Sequence, residues 1–184
     1  MSAPVIQQGF ILNKSTFTQR GKVYVELWVK TANNTARLIS SPQNPTCFVS
    51  LDQSAELNDI AARIPAKISI SEDGFYTLEQ VPVATVKTAT ESHMHQLRQR
   101  AQEHSIVLYE ADIRVADRYL MERFVYGAVE FVAPQVVDDT SQIVIDNAQI
   151  RPCHFRTSFT SLSIDIECNE HEELFSIALA GEGK

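Results

Sequence analysis

"LSIDIECNEHEELFSIALAG", Leu162 to Gly181, sets Asp165 and Glu167 two residues apart inside an otherwise apolar run. Isoleucines alternate with the acids, which is the period of a strand. Residues i and i+2 of a strand share a face, about 6.6–7 Å apart. Asp165 and Glu167 therefore project together, with Ile164 and Ile166 on the opposite face. Two carboxylates on one face repel each other, and burying them without a counter-charge is costly. A divalent cation relieves that cost, and magnesium takes oxygen ligands while keeping several of its waters. In two-ion phosphoryl chemistry the ions lie about 3.5–4 Å apart, within reach of carboxylates on one strand. A bare D-x-E is a short pattern, and solvated strand faces and ion pairs produce most of its occurrences. Its surroundings add weight here. "ECNEHEE" is a polar turn and "LFSIALAG" a second apolar strand, so a hairpin is expected.

The rest of the chain sets the bounds. With 184 residues, 44% hydrophobic and 21% charged, it has the composition of an ordinary soluble globular protein. A net charge of −7 argues against a small basic nucleic-acid module but leaves room for a local basic groove. Cys47, Cys153 and Cys168 are scattered without C-x-x-C spacing, so neither a zinc site nor a disulfide framework is expected. The start "MSAPVIQQGF" lacks the charged and apolar regions of a secretory signal. No apolar run reaches the roughly 18 residues of a membrane-spanning helix. A soluble, cytoplasmic protein without a membrane partner is expected.

The first half reads as β-rich. "QGFILN", "GKVYVELWVKT", "ARLIS" and "TCFVSL" are strand candidates, and the second alternates cleanly, with Val23, Val25, Leu27 and Val29 on one side. "KISIS" and "FYTLEQ" flank Glu72-Asp73-Gly74, and Asp-Gly between apolar runs predicts a hairpin turn. "VPVATVKT" is one more extended segment. Short strands with closely spaced turns suggest a small barrel or sandwich. "DQSAELNDIAARI" has helical spacing and stops at Pro65. Thr88 and Glu91 form a capping-box pattern before a helix whose stripe is Met94, Leu97 and Ala101. "IVLYEAD" reads as a strand, and "RVADRYLMERF" as a helix with Val115, Tyr119, Leu120 and Phe124 on one face and an Arg118–Glu122 pair. "AVEFVA" and "QIVIDNAQI" are strands around a Pro134–Ser141 loop. "RPCHFRTSF" is irregular, and a domain boundary is expected there.

Two stretches together carry a resemblance. "LYEADIRVADRYLMERF", Leu108 to Phe124, precedes "SIDIE" by about forty residues. That pairing resembles the amino-terminal part of a family B DNA polymerase, where such a segment precedes the first exonuclease motif, D-I-E. "QGFILN", "VYVELWVKT" and "HMHQLRQRAQEHSIVLYEAD" resemble a bacterial branch of that family. The resemblance implies an α+β fold. Residues 1–155 would be a β-rich amino-terminal domain with a few helices. Residues 156–184 would be the opening β-hairpin of a ribonuclease-H-like 3′→5′ exonuclease domain. Asp165 and Glu167 would be catalytic, metal-binding groups of the full-length enzyme, holding Mg²⁺. Partners implied are template and primer DNA, the remaining polymerase and exonuclease domains, and a sliding clamp contacted through parts outside this chain.

The family's later exonuclease motifs and its palm, fingers and thumb are absent from the sequence. A truncated chain is therefore expected, inactive by itself and without bound Mg²⁺. Many relatives have threonine where Cys168 stands, on the side expected to face away from the acids. Archaeal relatives carry proline and phenylalanine where this chain has Arg114 and Val115, so no uracil-sensing role is expected. Arg114 and Arg118 are the candidate nucleic-acid-binding residues, with Arg123, Lys87, Arg98 and Arg100 behind them. For each, a solvated face with local ion pairs is the stronger reading. Tyr24, Trp28 and Tyr76 are possible stacking surfaces, with sheet packing the favoured role. His93 and His95 do not share a helical face, which disfavours a metal site. Two other functions stay open: a non-catalytic single-stranded nucleic-acid-binding module, and a stand-alone magnesium nuclease.

Overall fold

The computed structural model describes residues 4–134, 143–159 and 161–181. The chain runs through β1 (Pro4–Gln19), β2 (Lys22–Thr31), β3 (Thr35–Ile39), β4 (Thr46–Ser50), α1 (Leu51–Ala61), β5 (Ile68–Tyr76), β6 (Pro82–Thr88) and α2 (Glu91–Glu103). It continues through β7 (Leu108–Tyr109), α3 (Val115–Met121), β8 (Ala128–Pro134), β9 (Ile143–Ile145), β10 (Ile150–Pro152), β11 (Leu162–Cys168) and β12 (Leu174–Gly181). The α+β expectation holds, and the strands fall into three sheets. Of the expected Pro134–Ser141 loop, the part from 135 onward lies outside the described residues, as do residues 1–3 at the start.

The first sheet has six strands in the order β10-β8-β1-β2-β3-β9. Its two edges meet. β9 pairs with β3 and β10 pairs with β8, and only Asp146 to Gln149 separate β9 from β10. The amide of Ala148 donates to the Ile39 carbonyl at 2.8 Å, drawing that short connection onto the β3 edge. The sheet thus curls into a small, incompletely closed barrel whose two edge strands are short and joined to each other. β2 supplies the inward row anticipated from its alternation: Val23, Val25, Leu27 and Val29 are all buried. Long β1 serves two partners, β8 from Pro4 to Phe10 and β2 from Gly9 to Gln19, with a register shift against β2 between Ile11 and Asn13. Gly9 sits where a Cβ would lie 2.5 Å from Val29 Cγ1 and 2.6 Å from the Lys30 carbonyl oxygen, so the two strands approach too closely for any side chain. Helix α3 joins this core through Val115, Ala116, Tyr119 and Leu120.

The second sheet has four strands in the order β5-β6-β4-β7, with α1 and α2 as the crossovers. This is the β-α-β-β-α-β, ferredoxin-like arrangement. Cys47, Val49, Ala84 and Val86 line its helix-covered face, against Leu57 and Ile60 of α1 and Met94, Leu97 and Ala101 of α2. The stripe read for α2 is thus its buried face. Two apolar cores therefore lie within residues 4–155.

Several local expectations are corrected. Asp73-Gly74 is not a hairpin turn. β5 runs straight through it, with a register shift between Ser71 and Phe75 where Gly74 takes φ +75°. Asp-Gly supplies positive φ to a bulge as readily as to a turn. The chain reverses later, where the Thr77 amide donates to the Val81 carbonyl at 2.9 Å and Gln80 has φ +64°. The cap of α2 is Thr90, whose hydroxyl accepts from the His93 amide. Thr88 is still in β6, fully buried, and its hydroxyl donates to the Thr90 carbonyl. "IVLYEAD" forms a strand only at Leu108–Tyr109, and "QIVIDNAQI" breaks into β9 and β10 around Asn147 at φ +53°. α3 stops before Phe124, which has φ +53° and is 70% exposed, so Phe124 is not on its buried face.

β11 and β12 form the expected hairpin as a separate two-stranded sheet. Its turn is tied by the Asn169 side chain, whose oxygen accepts from the His171 and Glu173 amides at 2.9 Å. Every residue of both strands is exposed. Just before it, Phe159 meets Phe10 of the barrel edge-to-face, with ring centroids 5.5 Å apart.

Candidate metal-binding hairpin and nucleic-acid interface

β11 positions its acids by period and its partner strand by size. Asp165 pairs with Ala178 and Glu167 with Ser176, so only small side chains flank the carboxylates. Ser176 Oγ donates to Glu167 Oε2 at 3.1 Å, and Asp165 has no ion-pair or hydrogen-bond partner among the described residues. The opposite face carries Ile164, Ile166, Ile177 and Leu179, each more than half exposed. The acids are therefore not buried. They stand on an open face, and their mutual repulsion is relieved by water. Among the described residues no cluster of three or more His, Cys, Asp or Glu side chains is placed to hold a metal. Two same-face carboxylates fit part of a magnesium shell, which needs only one or two protein carboxylates plus waters and substrate phosphates. His171 is in the hairpin turn, as expected, 3.7 Å from the Glu170 carboxylate.

The two candidate arginines separate. Arg114 is the exposed N-cap residue of α3 and makes no side-chain cap. Arg118 is largely buried, at 15% side-chain exposure, and pairs not with Glu122 but with Glu110, Nη2 to Oε2 at 2.8 Å. Glu110 reaches it because the chain turns there at φ +55°. The Arg118 guanidinium also lies 5.6 Å from the centroid of the Phe48 ring. It lines a polar groove of about 210 Å³ with Lys87, Asn44, Gln43, Tyr119 and Glu122. That groove runs between the barrel and the ferredoxin-like unit, so Arg118 and Lys87 are brought together there. Arg123 is occupied locally: its Nη1 donates to the Tyr119 carbonyl at 2.9 Å and its guanidinium covers the Tyr119 ring at 3.8 Å. Arg98 and Arg100 lie on the exposed side of α2, Arg98 beside a separate shallow cleft with Gln102 and Asp112. Tyr24 stacks on Phe17 at 5.3 Å, Trp28 faces Arg37 across β2 and β3, and Tyr76 is exposed.

A third surface escaped the sequence reading. The face of the ferredoxin-like sheet away from its helices carries Phe48 on β4, Phe75 on β5 and Tyr109 on β7, since register sets Phe48 opposite Tyr109 and Thr85, and Phe75 opposite Val83. Alternation in "TCFVSL" does put Phe48 opposite in sense to Cys47 and Val49. Its aromatic neighbours, however, come from strands far away in sequence. Cys47, on the helix side, has its thiol pushed up to about 12 by burial, with Arg118 and then Arg98 opposing the shift.

No protein-family model matches the chain. Among curated proteins it is similar to DNA polymerase II of Escherichia coli (strain K12), with 29% identity over 186 residues, covering 97% of this chain and 22% of that protein. Among solved structures it is similar to the family B DNA polymerase of the hyperthermophilic archaeon Pyrobaculum calidifontis, with a TM-score of 0.68 and 15% identity, covering 95% of this chain and 25% of that one. The chain thus spans about a fifth of the length of its curated relative. In sequence it is similar to about a fifth of one DNA polymerase, and in fold to about a quarter of a family B DNA polymerase.

Proposed function

We propose that this chain is the amino-terminal portion of a cytoplasmic DNA polymerase II, a DNA-extending enzyme with 3′→5′ proofreading. In that role residues 1–155 frame the single-stranded template and brace the exonuclease domain, which begins near residue 156. One observation carries the reading: the likeness to DNA polymerase II runs through 97% of the chain, so it takes in both the segment around Tyr109–Phe124 and the acidic hairpin. Asp165 and Glu167 would hold magnesium, on the open face where Ala178 and Ser176 leave room above them. Bound there, magnesium supplies an activated water and charge stabilisation for the leaving oxygen of a terminal nucleotide. The two carboxylates are an incomplete set for that chemistry, since the described residues add no third ligand. In this reading the remaining ligands, the polymerase domains and any clamp contact would be supplied by other parts of the enzyme.

The test is excision by the 184-residue chain with Mg²⁺ on a 3′-mispaired primer. Neither excision nor extension is expected, and Asp165→Ala changes nothing. Excision by the isolated chain that Asp165→Ala abolishes would replace this reading with a stand-alone nuclease.

A further inference from the structure

The open face of the ferredoxin-like sheet has no role in the reading above beyond scaffolding, yet it exposes a contiguous set of rings. Phe48 and Phe75 meet edge-to-face, with centroids 5.9 Å apart at 76°. With Tyr76 and Tyr109 they line a mainly apolar cleft of about 420 Å³. Phe75 is 53% exposed, Tyr76 61%, and Leu78 at the same cleft 96%. Apolar residues exposed singly need no explanation, but a contiguous patch marks a contact surface.

The charges at this cleft are acidic. Glu79 and Glu110 line it, and Glu72 and Asp73 stand exposed on the strand that carries Phe75. Glu110 is already satisfied by Arg118, whose guanidinium lies 5.6 Å from the Phe48 ring centroid. The protein thus sets one guanidinium of its own between a carboxylate and a ring of the cleft. Glu79 and the rings of Phe75, Tyr76 and Tyr109 offer the same two kinds of partner again. Among the described residues no ion pair reaches Glu79, and no cation lies over those three rings. Lys87 lines the separate polar groove, and Lys67 precedes β5 at the end opposite Phe75. Ring faces beside a carboxylate favour an organic cation, through the ring quadrupole and the opposite charge together. The same acids oppose a phosphate-bearing ligand.

The apolar surface decides between a free cation and a peptide. Tyr76 and Leu78 carry it past the Phe48–Phe75 pair, so a lone cation would leave much of it in water. A peptide with apolar side chains beside its cation covers both.

We propose that this cleft docks a peptide segment of a partner protein that sets arginine between apolar residues, the guanidinium lying over Phe75 and against Glu79. The site goes beyond the reading of the chain as part of a polymerase and does not depend on it.

The experiment measures binding of the 184-residue chain, at low salt, to three fluorescein-labelled peptides of equal length. One alternates leucine with arginine, one leucine with glutamine and one leucine with glutamate. The arginine peptide is expected to bind most tightly and the glutamate peptide least. Glu79→Gln should weaken the arginine peptide about 2- to 5-fold and leave the glutamine peptide unchanged. Phe75→Leu, which keeps apolar bulk without a ring, should weaken the arginine peptide about 2- to 30-fold. Glu172→Gln, an equal loss of charge at the hairpin turn, should change nothing. If the glutamine peptide binds as tightly as the arginine peptide, or if no peptide binds, the site is overturned. It is overturned equally if Glu172→Gln weakens the arginine peptide as much as Glu79→Gln does, since the attraction would then be to the acidic surface at large. Self-association of the parent chain that Phe75→Leu abolishes would put a second copy on the cleft and overturn the partner peptide.

Discussion

Three cysteines in one chain report three depths. Cys47 lies in the ferredoxin-like core, Cys153 is half-buried after β10, and Cys168 is exposed at the end of β11. The thiolate is the reactive species, so depth acts through ionisation as well as access. Burial pushes Cys47 up to about 12, which leaves roughly one thiol in ten thousand ionised at pH 8. Cys153 is raised too, first by burial and then by the Glu130 carboxylate. Glu130 itself is held below the usual carboxylate range by hydrogen bonds from Gln8 and then Arg151, so it stays ionised into mild acid. With a chromogenic disulfide reagent at pH 8, Cys168 should react first, Cys153 more slowly, and Cys47 only at the rate of unfolding. Denaturant should bring the third thiol to the speed of the first. Rapid modification of all three in the native chain would contradict the burial of β4.

At the level of elements, legibility followed the range of the interaction. β2 could be read from its own alternation because burial on one face is written every second residue. The stripe of α2 was equally plain, since Met94, Leu97 and Ala101 face one core. Errors arose where one local signal has two structural uses. Asp73-Gly74 provides positive φ, and the register of β5 against β6 makes it a bulge. Thr88 and Thr90 both suit a cap, and β6 claims Thr88 because its position is fully buried. Arg118 could have chosen Glu122 one turn away, but Glu110 reaches it from the β7–α3 turn. The aromatic face was illegible for a stronger reason: Phe48, Phe75 and Tyr109 meet only through long-range pairing. These assignments separate by stability. Thr90→Ala should cost about 1 kcal/mol through the lost cap. Gly74→Ala should cost about 1 kcal/mol through the left-handed backbone it must keep. Urea unfolding should show both as lower midpoints with an unchanged slope. A neutral Thr90→Ala would return the cap to Thr88.

For the whole molecule, the acidic hairpin stands apart from both cores. The barrel and the ferredoxin-like unit each bury a continuous apolar cluster, and no hairpin residue belongs to either. Its apolar side presents Leu162, Ile164, Ile166, Ile177 and Leu179 to solvent, and its outer strand edges carry unpaired backbone groups. A two-stranded ribbon is marginal in water by itself. Exposed edges and an apolar face together invite pairing with another chain. The net charge of −7 opposes association only weakly at ordinary ionic strength, because repulsion beyond about 8–10 Å is screened. The isolated chain is therefore expected to self-associate as its concentration rises, through this hairpin. Ile166 and Ile177 are directly paired in the register, so the double substitution Ile166→Lys and Ile177→Lys places two like charges in the centre of the apolar face. Sedimentation should then show a monomer at concentrations where the parent chain associates. The melting transition of the rest should stay put, because neither residue packs on the barrel or the ferredoxin-like core. A lowered melting temperature would mean that the hairpin packs on one of those cores. Unchanged association would move the contact to another surface, with exposed Phe124 and Tyr126 beyond α3 next to be substituted.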